Sequence, residues 1–557
     1  RYVLIFNGEI YNFRELKNEL DYPFTSGTDS EVIIAAYIKW GKDCVSRFNG
    51  MFAFAIWDTA RKELFIARDR LGIKPLYFYK DAANLVFSSE IKSLISSRKF
   101  NAKICKKGLV DYLKFQTVHA PNTILENVFM MEPGTTMNAH ISNEKLNISK
   151  NTYWKPGKAR QNLKNIEYSE AKYLVKKSFT KAVERRLVAD VPFGAFLSGG
   201  IDSSAIVGVM SELATKQVKT FTISFAEKEF SEAKYAQIIA KKFNTDHHEI
   251  QLSPRHFLEN IPEALKSMDH PSGDGPNTWM VSKATREAGI TMALSGLGGD
   301  ELFAGYPVFK RMHKLEKRRW LWKAPEFMRK SAGAALVKAR PGVASKKLAA
   351  LLSLKKYDFA EVHGISRQVL LNDQVAGLLN YPLPVMQNFS STLIKNQEVL
   401  DQSHVLSRIS LAEMNTYMQN VLLRDSDQMS MAHALEVRVP FLDHELVDLA
   451  VNIPDRIKYP VNPKKLLIDS LGDLLPSEVV NRPKMGFVFP WEKWLKNELF
   501  SFADKRIKSL SKREYFNEDT LLNLWQEFLR GNPAVTYSRI WPLVVLENWL
   551  VENNIEN

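Results

Sequence analysis

The stretch Ser198-Gly199-Gly200-Ile201-Asp202-Ser203-Ser204 constrains this chain most, because of what flanks it. Before it runs Phe193-Gly194-Ala195-Phe196-Leu197, which reads as a short buried strand. After it runs Ala205-Ile206-Val207-Gly208-Val209-Met210, which reads as a helix with an apolar face. A glycine-rich turn between strand and helix exposes backbone N–H groups at a helix N-terminus, a setting that suits a phosphate anion. Ser198, Ser203 and Ser204 add hydroxyl donors, and Asp202 can hold the Mg²⁺ that accompanies a triphosphate. The loop is no Walker A motif, since GxxxxGK[ST] is absent and no lysine follows the glycines. The bland reading of the same residues is a tight strand-to-helix turn.

Patterning divides the chain in two. Up to about residue 135, short strands (Val3–Phe6, Met51–Trp57, Glu63–Arg68, Leu76–Tyr79, Leu85–Ser88) alternate with helices near 12–20 and 29–40. That suits a layered, mostly antiparallel α/β sandwich. The expected boundaries are 1–150 for this domain, 151–167 for a linker around Pro156-Gly157, and 168–557 for the second domain. There the pattern becomes helix, strand, loop, helix, with strands at Val218–Phe225, His247–Ile250 and Ile290–Leu294 and a helix at Ser231–Phe243. Such alternation gives a doubly wound parallel sheet whose ligand sits at the carboxyl ends of the strands. Beyond residue 302 the chain reads as a helical extension.

Two cysteines, Cys44 and Cys105, are too few for a disulfide framework or a four-ligand zinc site, so a reducing cytoplasmic setting is expected. No run of about 18 apolar residues marks a transmembrane helix. The net charge of +14 is uneven: Lys310 to Lys356 holds 15 Lys or Arg against two acids, Glu316 and Glu326. The plain expectation is a solvated pair of amphipathic helices with Trp320, Trp322, Leu336 and Leu351-Leu352 turned inward. The sharper one is a surface for an anionic acceptor or acidic phospholipid headgroups. No nucleic-acid recognition module accompanies the charge, so no nucleic-acid partner is expected.

Three further clusters carry candidate chemistry. Ser295-Gly296-Leu297-Gly298-Gly299-Asp300-Glu301 follows the Ile290–Leu294 strand, so its glycines allow close backbone approach to a nucleotide. Leu423-Arg424-Asp425-Ser426-Asp427 leads into Leu435-Glu436-Val437-Arg438-Val439-Pro440-Phe441-Leu442-Asp443, and Asn481-Arg482-Pro483-Lys484 supplies a loop lysine. Taken singly, each also reads as a helix cap, a local ion pair or a solvated loop.

The phosphate-type loop resembles that of N-type ATP pyrophosphatases, which activate a carboxylate as an adenylate. Arg1-Tyr2-Val3-Leu4-Ile5-Phe6-Asn7-Gly8-Glu9 resembles the glutamine-binding strand of class II glutamine amidotransferases. So do Thr28-Asp29 and Ala67-Arg68-Asp69-Arg70-Leu71-Gly72-Ile73-Lys74-Pro75. With the three clusters, the whole chain resembles the glutamine-hydrolysing asparagine synthetase family. That resemblance implies an N-terminal nucleophilic cysteine upstream of Arg1, hence an incomplete first domain and ammonium in place of glutamine as the usable donor. It also implies that Asn7, Gly8 and Asp29 bind glutamine with Glu9 beside them, Asn7 and Gly8 serving as oxyanion hole. Leu197, Ser198, Gly199, Gly200, Asp202 and Ser203 would hold ATP phosphates, and Ile223, Ser295 and Gly296 would contact the nucleotide. Lys484 would neutralise charge as pyrophosphate leaves, while Asp202 and Asp300 would take Mg²⁺. Asp300, Asp427, Glu436 and Arg438 would face the acceptor acid. Ammonia would pass between sites through a dry internal tunnel, and a homodimer is left open.

One position departs from the family pattern. Its members carry a glutamate or aspartate between the two glycines of Ser-Gly-x-Gly, where this chain has Leu297. A leucine neither accepts a proton nor ligates Mg²⁺. Two readings stay open: asparagine synthesis with another carboxylate in that role, or amidation of another acceptor such as a sugar acid or peptide carboxylate. A non-catalytic nucleotide-binding scaffold is the alternative from a different class.

Overall fold

The structure is a computed structural model that describes residues 1–143, 145–157, 163–225, 232–383, 405–458, 462–482 and 490–556. Its N-terminal half contains eight strands: β1 (Tyr2–Ile10), β2 (Gly50–Asp58), β3 (Glu63–Arg68), β4 (Tyr77–Lys80), β5 (Leu85–Ser88), β6 (Val128–Met130), β7 (Thr135–Ser142) and β8 (Lys145–Thr152). They form two antiparallel sheets, ordered β1-β2-β3-β7-β8 and β5-β4-β6. Strand β2 shows why they stack. Its alternation sends Phe52, Phe54 and Ile56 toward helices α1 (Phe13–Glu19) and α2 (Asp29–Trp40), where they pack with Leu16, Val32 and Ile33. Ala53 and Ala55 face the other way and meet Ile66, Phe78 and Met137 between the sheets. Small residues on that side let the second sheet approach closely.

Four features of this half escape the sequence reading, the first being strand β6. The stretch between the last expected strands and the linker contains a two-stranded ribbon, β7 and β8 paired from Thr135↔Thr152 to Ser142↔Lys145. The polar sequence of β8 hides it, because most of its side chains face solvent. Helices α3 (Ile91–Ser96) and α4 (Lys106–Phe115) are the other two.

The second half is built on a parallel sheet of β9 (Phe193–Phe196), β10 (Lys219–Phe225), β11 (Asp246–Leu252), β12 (Met292–Leu294) and β13 (Glu436–Arg438). Their order is β11-β10-β9-β12-β13. The sheet runs outward from β9 in both directions, so the order reverses between β9 and β12. That is the place where a doubly wound sheet opens a crevice at its carboxyl edge. Helices α5 (Tyr168–Arg186), α6 (Ile201–Leu213), α7 (Ala233–Lys242), α8 (Pro254–Ser267) and α9 (Pro276–Glu287) accompany the sheet, and α10 (Gly299–Leu302) follows β12. Strand β13 arrives from far along the chain and is three residues long, too short for periodicity to reveal.

The two halves share a core. Tyr77, Leu109 and Tyr112 of the first half belong to one buried cluster with Trp279, Trp494, Trp541 and Trp549 of the second. The Tyr112 hydroxyl donates to the carbonyl of Pro542 at 2.7 Å. No helix among the described residues is long and apolar enough to cross a membrane. In the basic segment the expected burial fails at Trp320, which is 62% exposed. Trp322, Leu336 and Leu352 are half-buried and Leu351 is buried.

Candidate active site

The loops after β9 and β12 face each other across the switch point and line one cavity of about 850 Å³. In the first loop the hydroxyls tie the turn together. Ser198 and Ser203 Oγ lie 3.1 Å apart, Ser203 Oγ accepts from the Ser198 N–H at 3.2 Å, and Ser198 Oγ accepts from the Gly200 N–H at 3.3 Å. Gly200 caps α6, so the helix N-terminus opens on the cavity with its partial positive charge. Gly296 makes the approach of the second loop possible: a Cβ there would sit 2.9 Å from Asp202 Cβ and 3.2 Å from the Ser203 nitrogen. Gly298, at φ +97°, turns the chain into α10.

The centre of the cavity is electrostatic. Asp202 and Asp300 converge on the ammonium of Lys464, which lies 2.6 Å from Asp300 Oδ1 and hydrogen-bonds Asp202 Oδ2. Burial works against the charged form of Lys464, but the two carboxylates hold its pKa above the usual lysine value. Nothing in Asn462-Pro463-Lys464-Lys465 marks this lysine in the sequence. Arg482 lines the same cavity and pairs with Glu232 at 2.6 Å, while its Nη1 has no hydrogen-bond partner among the described residues. A buried guanidinium nitrogen left unpaired beside a phosphate-type loop is a ready anion donor. Glu301 also lines the cavity and accepts from the Tyr306 hydroxyl at 3.0 Å. Burial, with Asp300 adding to it, pushes its carboxyl up to about 7. Leu297 adds apolar wall.

The expected site residues therefore divide. Ser198, Gly200, Asp202, Ser203, Ser295, Gly296 and Asp300 line the cavity together. Leu197 is buried beneath the loop, and Gly199 holds a left-handed turn against α7, where a Cβ would meet Tyr235 and Ala236. Ile223 is buried in β10 and packs in the shared core rather than on the cavity wall. Lys484 lies outside the described residues.

Asp427, Glu436 and Arg438, expected at the acceptor, stand apart from the cavity wall and bridge the two halves. Asp427 pairs with the buried Lys74 at 3.0 Å, where burial opposes the lysine's charge and Asp427 restores it. Arg438 binds Glu436 at 2.6 Å and the carbonyls of Arg186 and Val188, and its Nη2 reaches within 3.6 Å of Glu9. The guanidinium groups of Arg186 and Arg438 also stack on the ring of Tyr11, 4.8 and 5.4 Å from its centroid.

A second constellation lies at the end of β1. Asn7 donates to Ser89 Oγ at 3.0 Å, and Asp29 at the start of α2 accepts from the Ile10 N–H at 3.0 Å. Gly8, at φ +144°, lies against the backbone of Met51 and Phe52, where any side chain would collide. Burial pushes the Glu9 carboxyl up to about 7 despite the opposing pull of Arg438. Between the halves lies a smaller cavity of about 270 Å³, walled by Arg70, Trp154, Met414, Asn415, Met418 and Gln419. The last four sit on a π-helical stretch, Met414–Leu423, and Tyr417 of the same stretch meets Tyr306 of the large cavity with ring centroids 6.1 Å apart. π-helical turns often occur at functional sites.

Comparison with known proteins agrees with this anatomy. Residues 1–154 match the model of the glutamine amidotransferase domain, and residues 174–551 match that of asparagine synthase. Asparagine synthetase [glutamine-hydrolyzing] 1 of Bacillus subtilis is 31% identical over 98% of this chain and 85% of its own length. A fungal relative of Gibberella zeae, named Amidase chry2, is 27% identical over 88% of this chain and 77% of its own length. The chain belongs to the glutamine-hydrolysing asparagine synthetase family.

Proposed function

We propose that this protein is an ATP-dependent carbon–nitrogen ligase that amidates a carboxylic acid through an acyl-adenylate. The acceptor carboxylate attacks the α-phosphorus of ATP, forming the mixed anhydride and releasing pyrophosphate. Ammonia then attacks the acyl carbon, AMP leaves, and a proton is lost. The observation that carries this reading is the convergence of the Ser198–Ser203 loop, Asp202, Asp300 and Lys464 in one cavity at the switch point. Within it the α6 N-terminus, Arg482 and Lys464 would bind and orient phosphate oxygens. Asp202 and Asp300 fit Mg²⁺, since both carboxylates already converge on a cation and this metal commonly takes one or two carboxylates plus substrate phosphates. When bound, the metal would offset phosphate charge. Asn7, Gly8, Asp29 and Glu9 would hold glutamine, and the cavity walled by the π-helical stretch is our proposed passage for ammonia toward Tyr306. The setting would be cytosolic.

Aspartate is the acceptor that the family suggests. Leu297 favours a second reading, in which the acceptor is a larger or less polar acid. The fungal relative named as an amidase supports it too. ATP–pyrophosphate exchange, run with aspartate and then with a panel of sugar acids and peptide carboxylates, tests both. Exchange with one acid identifies the acceptor. Exchange with none, in protein that binds ATP, would leave the scaffold reading.

A further inference from the structure

Helix Pro307–Lys317 begins at the cavity rim, where Pro307 and Lys310 stand, and leads outward to a 3-10 turn, Arg319–Lys323. Two helices follow, Glu326–Ala339 and Val343–Leu352, packed on each other with Gly333 against Ala349. The segment Lys310 to Lys356, which forms this outcrop and the turn after it, holds 15 basic residues against two acids, so it carries almost all of the chain's +14. Little of that charge is compensated. Among the described residues its acids pair only with Lys330, Arg319 and the distant Arg408. Arg329 is the basic residue turned fully inward, donating to the carbonyls of Ala324, Leu352, Leu354 and Lys355.

The apolar side chains beside this charge point outward. Trp320, Phe327 and Met328 are 62%, 70% and 54% exposed. Helix geometry explains the last two. Arg329 and Gly333, four residues apart, share the buried side, and Phe327 lies about 200° around the helix from Arg329. A water-exposed tryptophan, phenylalanine and methionine, flanked in sequence by the exposed Arg318, Arg319, Lys323 and Lys330, offer apolar surface within a strongly basic segment.

We propose that this outcrop docks on a bilayer surface of anionic lipid. Trp320, Phe327 and Met328 enter the headgroup layer, and the surrounding Lys and Arg gather negatively charged headgroups. Charge complementarity selects this occupant. A second copy of the chain would bring the same positive charge against itself. A nucleic-acid backbone would match the charge but leave the three apolar side chains without a complement. No described helix spans a membrane, so the protein would lie on the surface rather than cross it.

Co-sedimentation of the whole chain with phosphatidylcholine vesicles, with and without phosphatidylserine, tests the proposal. The expected result is capture by the phosphatidylserine vesicles alone, at ~0.1 M salt, fading as added salt shortens the screening length. Each basic residue at an anionic surface contributes roughly fivefold to binding, so Arg318→Glu/Arg319→Glu/Lys323→Glu should lose roughly a hundredfold or more. Trp320→Ser/Phe327→Ser should lose roughly tenfold while keeping the charge. All five positions are exposed, so thermal unfolding of both variants should match the parent. Absence of capture, capture indifferent to phosphatidylserine, or capture unchanged in both variants would overturn the proposal. Binding of duplex DNA through the same three basic residues, with no vesicle capture, would assign the surface to nucleic acid instead.

Discussion

At the scale of single residues, the site depends on one cation held between two anions. Lys464 is 8% exposed at its side chain, and Asp202 and Asp300 are 15% and 17% exposed. Removing the ammonium leaves two carboxylates facing each other in a poorly solvated cavity. Breaking a buried pair costs about 3–5 kcal/mol; because the cavity admits some water, Lys464→Met should cost ~2–3 kcal/mol, read from denaturant unfolding. ATP–pyrophosphate exchange should fall ~100-fold or more, as for loss of a group aimed at developing charge, with partial recovery in Lys464→Arg. Leu297 carries the second prediction at this scale. If the pocket otherwise suits aspartate, Leu297→Glu should raise aspartate-dependent pyrophosphate release by ~10²-fold or more, the typical worth of one positioned base. Unchanged aspartate turnover in that variant would mean that the acceptor is chosen elsewhere in the cavity. Asp202 was legible from its loop, whereas Lys464 was not, because its partners lie more than 160 residues away and a Pro-Lys-Lys turn looks like surface.

At the scale of elements, one contact fits the two site loops together and another joins the halves. The glycine loops touch through Gly296, whose missing Cβ admits Asp202 and Ser203. Gly296→Ala should push the Ser198–Ser203 loop aside by several tenths of an ångström, costing ~1–3 kcal/mol as overpacking does. It should also raise the apparent KM for ATP, measured by exchange, and a variant with an unaltered KM would show that the loops yield freely. The Lys74–Asp427 pair joins the β3–β4 connection of the first half to the helix Arg424–Met431 of the second. Lys74→Met should destabilise by about 3–5 kcal/mol, since it strands a carboxylate that is 14% exposed. A double-mutant cycle with Asp427→Leu should return a coupling of ~1–3 kcal/mol, and additive effects would show that the pair joins nothing. Sequence patterning found most strands of the three sheets. It missed β8, where only Leu146 and Ile148 turn inward among exposed polar residues, and β13, whose three residues gain strand geometry only by lying beside β12.

At the scale of the molecule, burial of acids sets the pH dependence. Asp425, fully buried, accepts from Ser272 Oγ and Gln428, and burial pushes it up to about 7. Its folded pKa lies above the unfolded value, so the folded state keeps a proton that the unfolded state has already lost. This group's contribution therefore falls as pH rises from about 4 to about 7, by ~1.4 kcal/mol per unit at the steepest, and is level above that window. Asp425→Asn removes the titration, so wild type minus variant should lose stability across the window, followed by denaturation midpoints at a series of pH values. His363 and His444, held neutral by burial at about 3 and 4, pull oppositely below pH ~6.5, so the difference between the two proteins is the informative quantity. A difference flat with pH would mean that Asp425 ionises normally.

The sequence by itself determined the two architectures, the glycine-rich loop after β9 with its strand-to-helix setting, and the family. These rest on local periodicity, glycines and short motifs, which neighbouring residues read out together. The tertiary structure alone decided which distant charges meet. It gave Lys464 to Asp202 and Asp300, and Lys74 to Asp427. It turned Arg438, with Glu436 paired to it, toward Glu9 and Tyr11 instead of the cavity, and faced Trp320 outward. The reason is physical: a local pattern depends on the few residues beside it, whereas an ion pair or an exposed aromatic depends on which surfaces the folded chain brings together.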